Sequence, residues 1–170
     1  MQRSANENTT MKELIIAPYE AKHQQEFRRL SMEWLEKFDL LEEADMPMLE
    51  HPQEVILDKG GFIFLAHYDN AIVGTISMIR EGENNFEILK LGVNSGYQGL
   101  GIGRKLMVHC LDLCKQLEGN TIILETNTKL VSAIALYKSL GFNEIPLTDV
   151  MFQTADCKME LDLSCWISSL

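Results

Sequence analysis

The chain has 170 residues, the size of one domain, and 46% of them are hydrophobic. A chain of this kind can bury a core of its own, which excludes a disordered protein, a collagen-like repeat and a disulfide-stapled miniprotein. Its 25 acidic residues outnumber 15 basic ones, for a net charge of −10. That charge argues against nucleic acid or a membrane surface as a partner, but not against a small anion bound by backbone amides.

Cysteine usage and the N-terminus predict a soluble, cytoplasmic protein. The four cysteines (Cys110, Cys114, Cys157 and Cys165) lack CxxC or Cys/His spacing, so we predict buried, reduced thiols and no bound metal. Residues 1–10 lack the apolar core of a signal peptide and are predicted to be a disordered tail. No run approaches the ~20 apolar residues of a membrane span.

The first 60 residues predict one strand and two helices. Residues 14–17 form a short apolar strand, and apolar side chains at spacings of three and four predict an amphipathic helix over 20–38. Residues 39–51 are acidic and contain a proline, so we predict a loop. A second, short helix begins at Pro52 and ends at the glycine pair 60–61.

The rest of the chain alternates between strands and helices. Strands are predicted at 62–68, 72–79, 86–93, 122–125 and 157–163, and helices at 102–117 and 131–140. A further strand is predicted near 142–145 or 150–152. The order β-α-α-β-β-β-α-β-α-β(-β) predicts a single α/β (α+β mixed) domain with a mixed sheet over residues 11–170.

A glycine-rich loop, Gln98-Gly99-Leu100-Gly101-Ile102-Gly103, follows a strand and leads into a helix. Free N–H groups at a helix start bind phosphate, and glycines let a ligand approach the main chain closely. The spacing does not fit a P-loop, GxxxxGK followed by Ser or Thr, nor the GxGxxG of a dinucleotide-binding fold. It fits a third pattern, Gln/Arg-x-x-Gly-x-Gly/Ala after a central strand.

Two motifs and the element order resemble the GNAT (GCN5-related N-acetyltransferase) superfamily. The first motif is the strand and loop over residues 87–107, and the second is SAIALYKSLGF at 132–142, similar to the family's A-x-x-x-Y-x-x-x-GF helix. The resemblance covers roughly residues 14–163. It implies a GNAT-like fold, in which a central, mostly antiparallel sheet is flanked by helices and strands 86–93 and 122–125 diverge at their ends.

The resemblance implies acetyl-CoA as co-substrate and a set of binding residues. The main chain at Leu91, Gly92 and Val93 would pair with the pantetheine arm. The pyrophosphate would be bound by backbone amides from the helix start, with the Arg104 and Lys105 side chains as helpers; these amides belong to Gln98, Gly99, Leu100, Gly101, Ile102, Gly103 and Arg104. Many family members have a cofactor-binding asparagine where this chain has Leu130. Nearby Asn127 either compensates or only caps a loop.

The resemblance also implies catalytic roles for two side chains. Tyr137 matches the tyrosine that protonates the departing thiolate, the alternative being a packed helix aromatic. Glu87 matches the glutamate that some members use as general base, the alternative being an exposed strand carboxylate. The Val93 N–H is a candidate oxyanion donor.

The function predicted is acetyl transfer from acetyl-CoA to a primary amine, by direct attack in a ternary complex. The alternatives are a CoA-binding sensor or structural domain that has lost catalysis and, more remotely, a nucleotide-binding domain. The acceptor is a small-molecule or peptide amine. Seven acidic residues between 33 and 50 are either a solvated face or an attraction for a cationic acceptor. The apolar C-terminus (Trp166, Ile167 and Leu170) is available for a homodimer contact.

Overall fold

A computed structural model describes residues 12–168 of the chain, so the predicted tail over 1–10 lies outside the described residues. Within these residues, seven strands form one sheet in the order β1-β2-β3-β4-β5-β7-β6. They are β1 (Leu14–Pro18), β2 (Phe62–Tyr68), β3 (Ala71–Arg80), β4 (Asn85–Val93), β5 (Thr121–Thr126), β6 (Asn143–Ile145) and β7 (Cys157–Asp162). Only β4 and β5 pair in parallel; the other neighbours are antiparallel. The predicted mixed, mostly antiparallel sheet is confirmed.

Helices cover both faces of the sheet. They are α1 (Gln24–Lys37), α2 (Met46–Glu50), α3 (Ile102–Gln116) and α4 (Val131–Ser139), with a π-helix at Gln53–Leu57. Apolar side chains of α1 and α2 form one core cluster with Leu89 of β4. Those of α3 and α4 form another with Phe86 and Ile88. Because successive strand residues point to opposite faces, Glu87 faces the α1/α2 side together with Leu89.

The predicted loop over 39–51 is partly helical, which corrects the sequence prediction. It contains a 3₁₀ turn at Glu43–Asp45 and the whole of α2 (Met46–Glu50). Pro47 lies in the first turn of α2, where a missing N–H costs nothing because that turn has no partner for it. The proline therefore starts this helix rather than preventing one.

Three smaller predictions have mixed outcomes. The additional strand lies at Asn143–Ile145, and residues 150–152 form none. Cys165 is exposed, unlike the other three cysteines, although all four are free thiols. Trp166 packs on the core of its own chain and donates from Nε1 to Asp112 Oδ1 at 3.0 Å, while Leu170 lies outside the described residues.

Within residues 12–168, no helix combines the length and hydropathy of a membrane span.

The sheet splits between β4 and β5. Their pairing ends at Ile88 and Leu124, although β4 continues to Val93. A bulge in β4 assists the split: Thr75 pairs with Gly92 and Ser77 with Leu89, so β4 has one extra residue, and Lys90 has φ +38°.

Gly92 lets α1 approach the free part of β4. An added Cβ there would lie 2.8 Å from the Leu30 carbonyl oxygen and 2.8 Å from Trp34 Cδ1. Only glycine permits this contact, so α1 forms the wall of the split on its own side of the sheet.

Candidate active site

A cleft of about 640 Å³ lies at the split between β4 and β5. Its walls are the ends of both strands, the first turn of α3, the start of α4, and parts of the segments 34–45 and 152–155. Nearly every site residue predicted from the sequence lines it: Glu87, Leu91, Gly92, Val93, Gln98, Gly99, Gly101, Ile102, Gly103, Arg104, Asn127 and Tyr137. Leu100 does not line the cleft, and its side chain is exposed.

The glycine-rich loop leaves the start of α3 open toward the cleft. Gly101 caps α3 with φ +76° and Gly99 has φ +80°, and a Cβ added to either meets no atom within 4 Å. Because the first-turn N–H groups of a helix have no partner within that helix, they and the helix dipole suit an anionic group. Arg104 donates from Nη1 to Ser139 Oγ at 2.8 Å, so its guanidinium is tied to α4.

The Val93 N–H is directed into the split. Val93 is registered with Gly74, and the next hydrogen bond runs from the Asn94 N–H to the Val73 carbonyl at 2.8 Å. That pattern marks Val93 and Gly74 as a non-hydrogen-bonded pair, whose own N–H and C=O groups point away from each other. The Val93 N–H therefore faces the edge where β5 no longer pairs.

Tyr137 is a buried cleft residue. It is 6% exposed and packs near Phe142, with ring centroids 6.0 Å apart. Burial raises the pKa of its phenol, so the hydroxyl keeps its proton at neutral pH. It can therefore donate a proton or hydrogen bond in the cleft but cannot act as a base there.

Glu87 is buried, which contradicts the alternative of an exposed strand carboxylate. It is 3% exposed, and its Oε1 has no hydrogen-bond partner among the described residues. The pKa of Glu87 is raised to about 8, chiefly by burial and in addition by the neighbouring carboxyls of Glu125 and Glu81. Glu87 thus carries a proton at pH 7.

Glu125, which the sequence did not single out, is the partner of Glu87. Its carboxylate accepts hydrogen bonds from the Met151 N–H at 2.8 and 3.0 Å and the Phe152 N–H at 3.2 Å. Donors of this kind stabilise the ionised form of a carboxyl. The two carboxyls lie within hydrogen-bond reach of each other, and Glu125 is one cause of the raised pKa of Glu87.

Lys90 and Asp45 form a buried ion pair beside these carboxyls. Their side chains are 3% and 2% exposed. The Lys90 ammonium also lies 4.1 Å from the ring centroid of Phe152. Burial lowers the pKa of Lys90, and Asp45 opposes that change. Asp45 was predicted only as part of an acidic segment, because its partner is 45 residues away in the chain.

The acidic segment is divided between solvent and the cleft walls. Glu36, Asp39, Glu43 and Glu50 are exposed. Glu33 accepts from the Ser95 N–H at 2.8 Å, and Glu42 accepts from the N–H groups of Gln153 and Thr154 at 2.9 and 2.8 Å. With Asp45, these side chains connect segments that are far apart in sequence. Neither a solvated acidic face nor an attraction for a cationic acceptor therefore describes the whole segment.

Asn127 caps a loop. Its Nδ2 donates to the Thr154 carbonyl at 2.7 Å, and its Oδ1 accepts from the Lys129 N–H at 2.9 Å. These contacts match the loop-capping alternative for this residue. Leu130 also lines the cleft but offers no polar side-chain atom to a ligand.

Sequence comparison gives a family match and partial relatives. A model described as "Acetyltransferase (GNAT) family" matches residues 11–142. The N-alpha-acetyltransferase RimI of Mycobacterium tuberculosis is 35% identical over 85 residues, 48% of this chain and 52% of that protein. The [ribosomal protein bS18]-alanine N-acetyltransferase of Escherichia coli K12 is 36% identical over 69 residues, 41% and 47% of the two chains. The chain thus spans about half the length of these curated relatives.

Solved structures agree in fold. A GNAT-family acetyltransferase from Staphylococcus aureus Mu50 superposes with a TM-score of 0.80 and 29% identity, covering 89% of this chain and 99% of the other. An acetyltransferase from Salmonella typhimurium, solved with acetyl-CoA, gives a TM-score of 0.65 at 17% identity and covers 88% and 94%. The second likeness concerns the fold alone.

Proposed function

Because the chain belongs to the acetyltransferase (GNAT) family, we propose that it transfers an acetyl group from acetyl-CoA to a primary amine in a ternary complex. The observation that carries this proposal is the cleft at the β4–β5 split. It combines an anion-binding helix start on one side with a carboxyl pair on the other.

The cleft residues fit acetyl-CoA. Open space above Gly99 and Gly101 accommodates a phosphate group against the first turn of α3. The unpaired edge of β4 from Leu91 to Val93 offers main-chain groups to an extended, amide-containing arm. When bound, the co-substrate supplies an activated acetyl group.

The chain's own residues then handle one proton at each end of the reaction. The Glu87 carboxyl accepts a proton from the acceptor amine in its ionised form, which its pKa of about 8 makes available near and above that pH. The Val93 N–H stabilises the negative charge that develops on the acetyl oxygen. The Tyr137 hydroxyl, which burial keeps protonated, donates to the departing thiolate. Cys165, the exposed thiol, is not a cleft-lining residue, and the proposal involves no acyl-enzyme.

The acceptor we propose is the α-amine of a peptide. The names of the two curated relatives support it. A physical argument supports it as well: an α-ammonium has a pKa of about 7.7–8.0, close to the pKa of about 8 of Glu87, whereas a lysine ammonium lies at about 10.4. Proton transfer to the ionised Glu87 is therefore nearly balanced for an α-amine.

A panel of amines tests the proposal. The protein is incubated with acetyl-CoA and peptides that have a free N-terminus, the same peptides with a blocked N-terminus and one lysine, or a polyamine. Release of free thiol with the first set supports the whole proposal. Release of free thiol only with the lysine peptides or the polyamine would support acetyl transfer but refute the α-amine acceptor. CoA binding without thiol release for any amine favours the non-catalytic alternative.

A further inference from the structure

Four consecutive N–H groups, those of residues 151–154, are divided between two carboxylates from different parts of the chain. The first two donate to Glu125 at the cleft, and the last two donate to Glu42 on the loop before α2. We define residues 151–154 as the amide segment. Because the four donors are consecutive, a displacement of the amide segment disturbs the hydrogen bonds of both carboxylates, and the two sets are mechanically linked.

Glu42 is suited to hold the amide segment firmly. Although burial acts to raise it, the hydrogen bonds from Thr154 and Gln153 lower the pKa of Glu42 overall, which keeps this carboxylate charged near neutral pH. A charged acceptor strengthens each of these hydrogen bonds. Between the two anchors, the Phe152 ring rests against the Lys90 ammonium, which the buried Asp45 holds in place.

The amide segment determines the surroundings of the carboxyl pair. Glu125 accepts hydrogen bonds from the N–H groups of residues 151 and 152, whereas one oxygen of Glu87 has no partner within the described part of the chain. Other charges face or border the pair from the elements around it: Glu81 from the β3–β4 turn, Lys90 from β4, Glu42 and Asp45 from the segment before α2, and Lys158 and Glu160 from the same face of β7. The Lys158 ammonium is bound to the Thr148 carbonyl at 2.8 Å.

We propose that Glu42 is a positioning residue: by holding residues 153 and 154, it keeps the N–H groups of residues 151 and 152 on Glu125, and so decides which of the two facing carboxyls carries the proton. The inference rests on the proposed function for its catalytic meaning. The hydrogen bonds that Glu42 makes, and their effect on the carboxyl pair, can be measured in the free protein without substrate.

The test compares Glu42→Gln with Glu43→Gln. Glu43 is exposed, lies next to Glu42 and has no hydrogen bond to the amide segment, so its variant removes the same charge at nearly the same place. A glutamine at position 42 keeps one acceptor oxygen and places an NH₂ group against the second N–H. Because Glu42 is only half-buried and Glu43 is exposed, both variants are expected to fold, and thermal unfolding checks this.

Two readouts in the free protein decide the outcome. Amide hydrogen exchange should accelerate at least about tenfold at residues 151–154 in Glu42→Gln and stay unchanged in Glu43→Gln. The carboxyl titration of Glu87, followed by NMR, should move from about pH 8 toward lower pH by about one unit in Glu42→Gln, because the protonated state of Glu87 is no longer enforced by a fixed anion beside it. A Glu87 titration that stays near pH 8 in Glu42→Gln, or that moves equally in Glu43→Gln, overturns the proposal.

The kinetic readout separates this inference from the proposed function. If the wild-type protein transfers acetyl groups, the step near pH 8 in its kcat/KM profile should move to lower pH in Glu42→Gln alone, together with the Glu87 titration that it reports. An active wild type with identical profiles in the two variants refutes only the role of Glu42. A wild type that transfers no acetyl group to any amine refutes the proposed function, while exchange and titration still test the positioning.

Discussion

Glu87 and Tyr137 reach the same cleft from opposite faces of the sheet. Glu87 points to the α1/α2 side, as Leu89 does two residues later, whereas Tyr137 belongs to the core cluster under α3 and α4. Only the split between β4 and β5 lets the two side chains line one cavity. The two residues that we propose to accept and to donate a proton are thereby separated by the sheet itself.

Tyr137→Phe tests the donor on the α3/α4 side. The variant keeps the buried ring and removes only the hydroxyl, so packing and CoA binding should persist. We expect kcat to fall by about 10²–10⁴ with little change in KM for acetyl-CoA, since the lost interaction forms only in the transition state. Steady-state kinetics measures both constants. A variant with the wild-type kcat would remove Tyr137 from the chemistry.

Glu87→Gln tests the carboxyl pair through the pH dependence of the rate. In the wild type, Glu87 loses its proton near pH 8, so the kcat/KM profile should contain a step there. Glutamine cannot titrate, and the step should vanish, with the smallest loss of rate where the amine is already neutral. Glu83→Gln, in the exposed turn before β4, is the matched control and should keep the step. A profile unchanged by Glu87→Gln would mean that another group takes the proton.

The same substitution should change how stability depends on pH. The pKa of Glu87 is raised from 4.5 unfolded to about 8 folded, so the folded state binds the extra proton between these values. The stability associated with that proton is complete below pH 4.5 and is lost as the pH rises through 8. Thermal unfolding of the wild type should therefore lose several degrees relative to Glu87→Gln between pH 5 and pH 9. If the melting temperatures of the wild type and of Glu87→Gln changed with pH in parallel, Glu87 would have an ordinary pKa in the folded protein.

Much of the fold could be predicted because it depends on local patterns. Alternating apolar residues marked the strands, and the glycines before α3 marked its start and the phosphate-binding expectation. The loop predicted around Pro47 was wrong because a proline usually interrupts a helix. It is compatible with a helix in the first turn, and the sequence pattern did not show that α2 begins there. The burial of Cys110 and Cys114 followed from the apolar stripe of their helix, whereas Cys165 has no such pattern around it.

The electrostatics of the site could not be predicted because they depend on distant contacts. Glu125 is fixed by N–H groups 26 and 27 residues away, and Glu42 by N–H groups more than 110 residues away. From its sequence, Lys90 would be taken for an exposed lysine on a strand. In the structure, it lies at the β4 bulge and pairs with Asp45. No spacing rule connects such residues, so only the folded chain brings them together.

Gly103→Val tests the phosphate-binding side. Gly103 lies in the first turn of α3, and an added Cβ there has ordinary contacts with Leu136 Cδ2 at 3.6 Å and Val93 Cγ2 at 3.8 Å. Its backbone is helical, so we expect the variant to fold while the larger side chain narrows the cleft. CoA at 100 times its Kd should stabilise the wild type by about 2.7 kcal/mol and the variant far less, as measured by thermal unfolding.

Two comparisons make that result interpretable. Gly103→Ala adds only the Cβ that the structure accommodates, so it should retain more of the stabilisation by CoA than the valine variant. NAD and ATP should stabilise the wild type little, since the loop spacing fits neither nucleotide fold. Normal CoA binding by Gly103→Val would show that the pyrophosphate binds elsewhere.

A structure of the protein with CoA bound is the decisive measurement for the proposed function. We expect the pyrophosphate at the first turn of α3, the pantetheine arm along β4 from Leu91 to Val93, and the sulfur within hydrogen-bond reach of the Tyr137 hydroxyl. The thiol would then open toward Glu87 and Glu125 on the other face of the sheet. A CoA molecule bound outside the β4–β5 split, or one whose sulfur points away from both Tyr137 and the carboxyl pair, would contradict it.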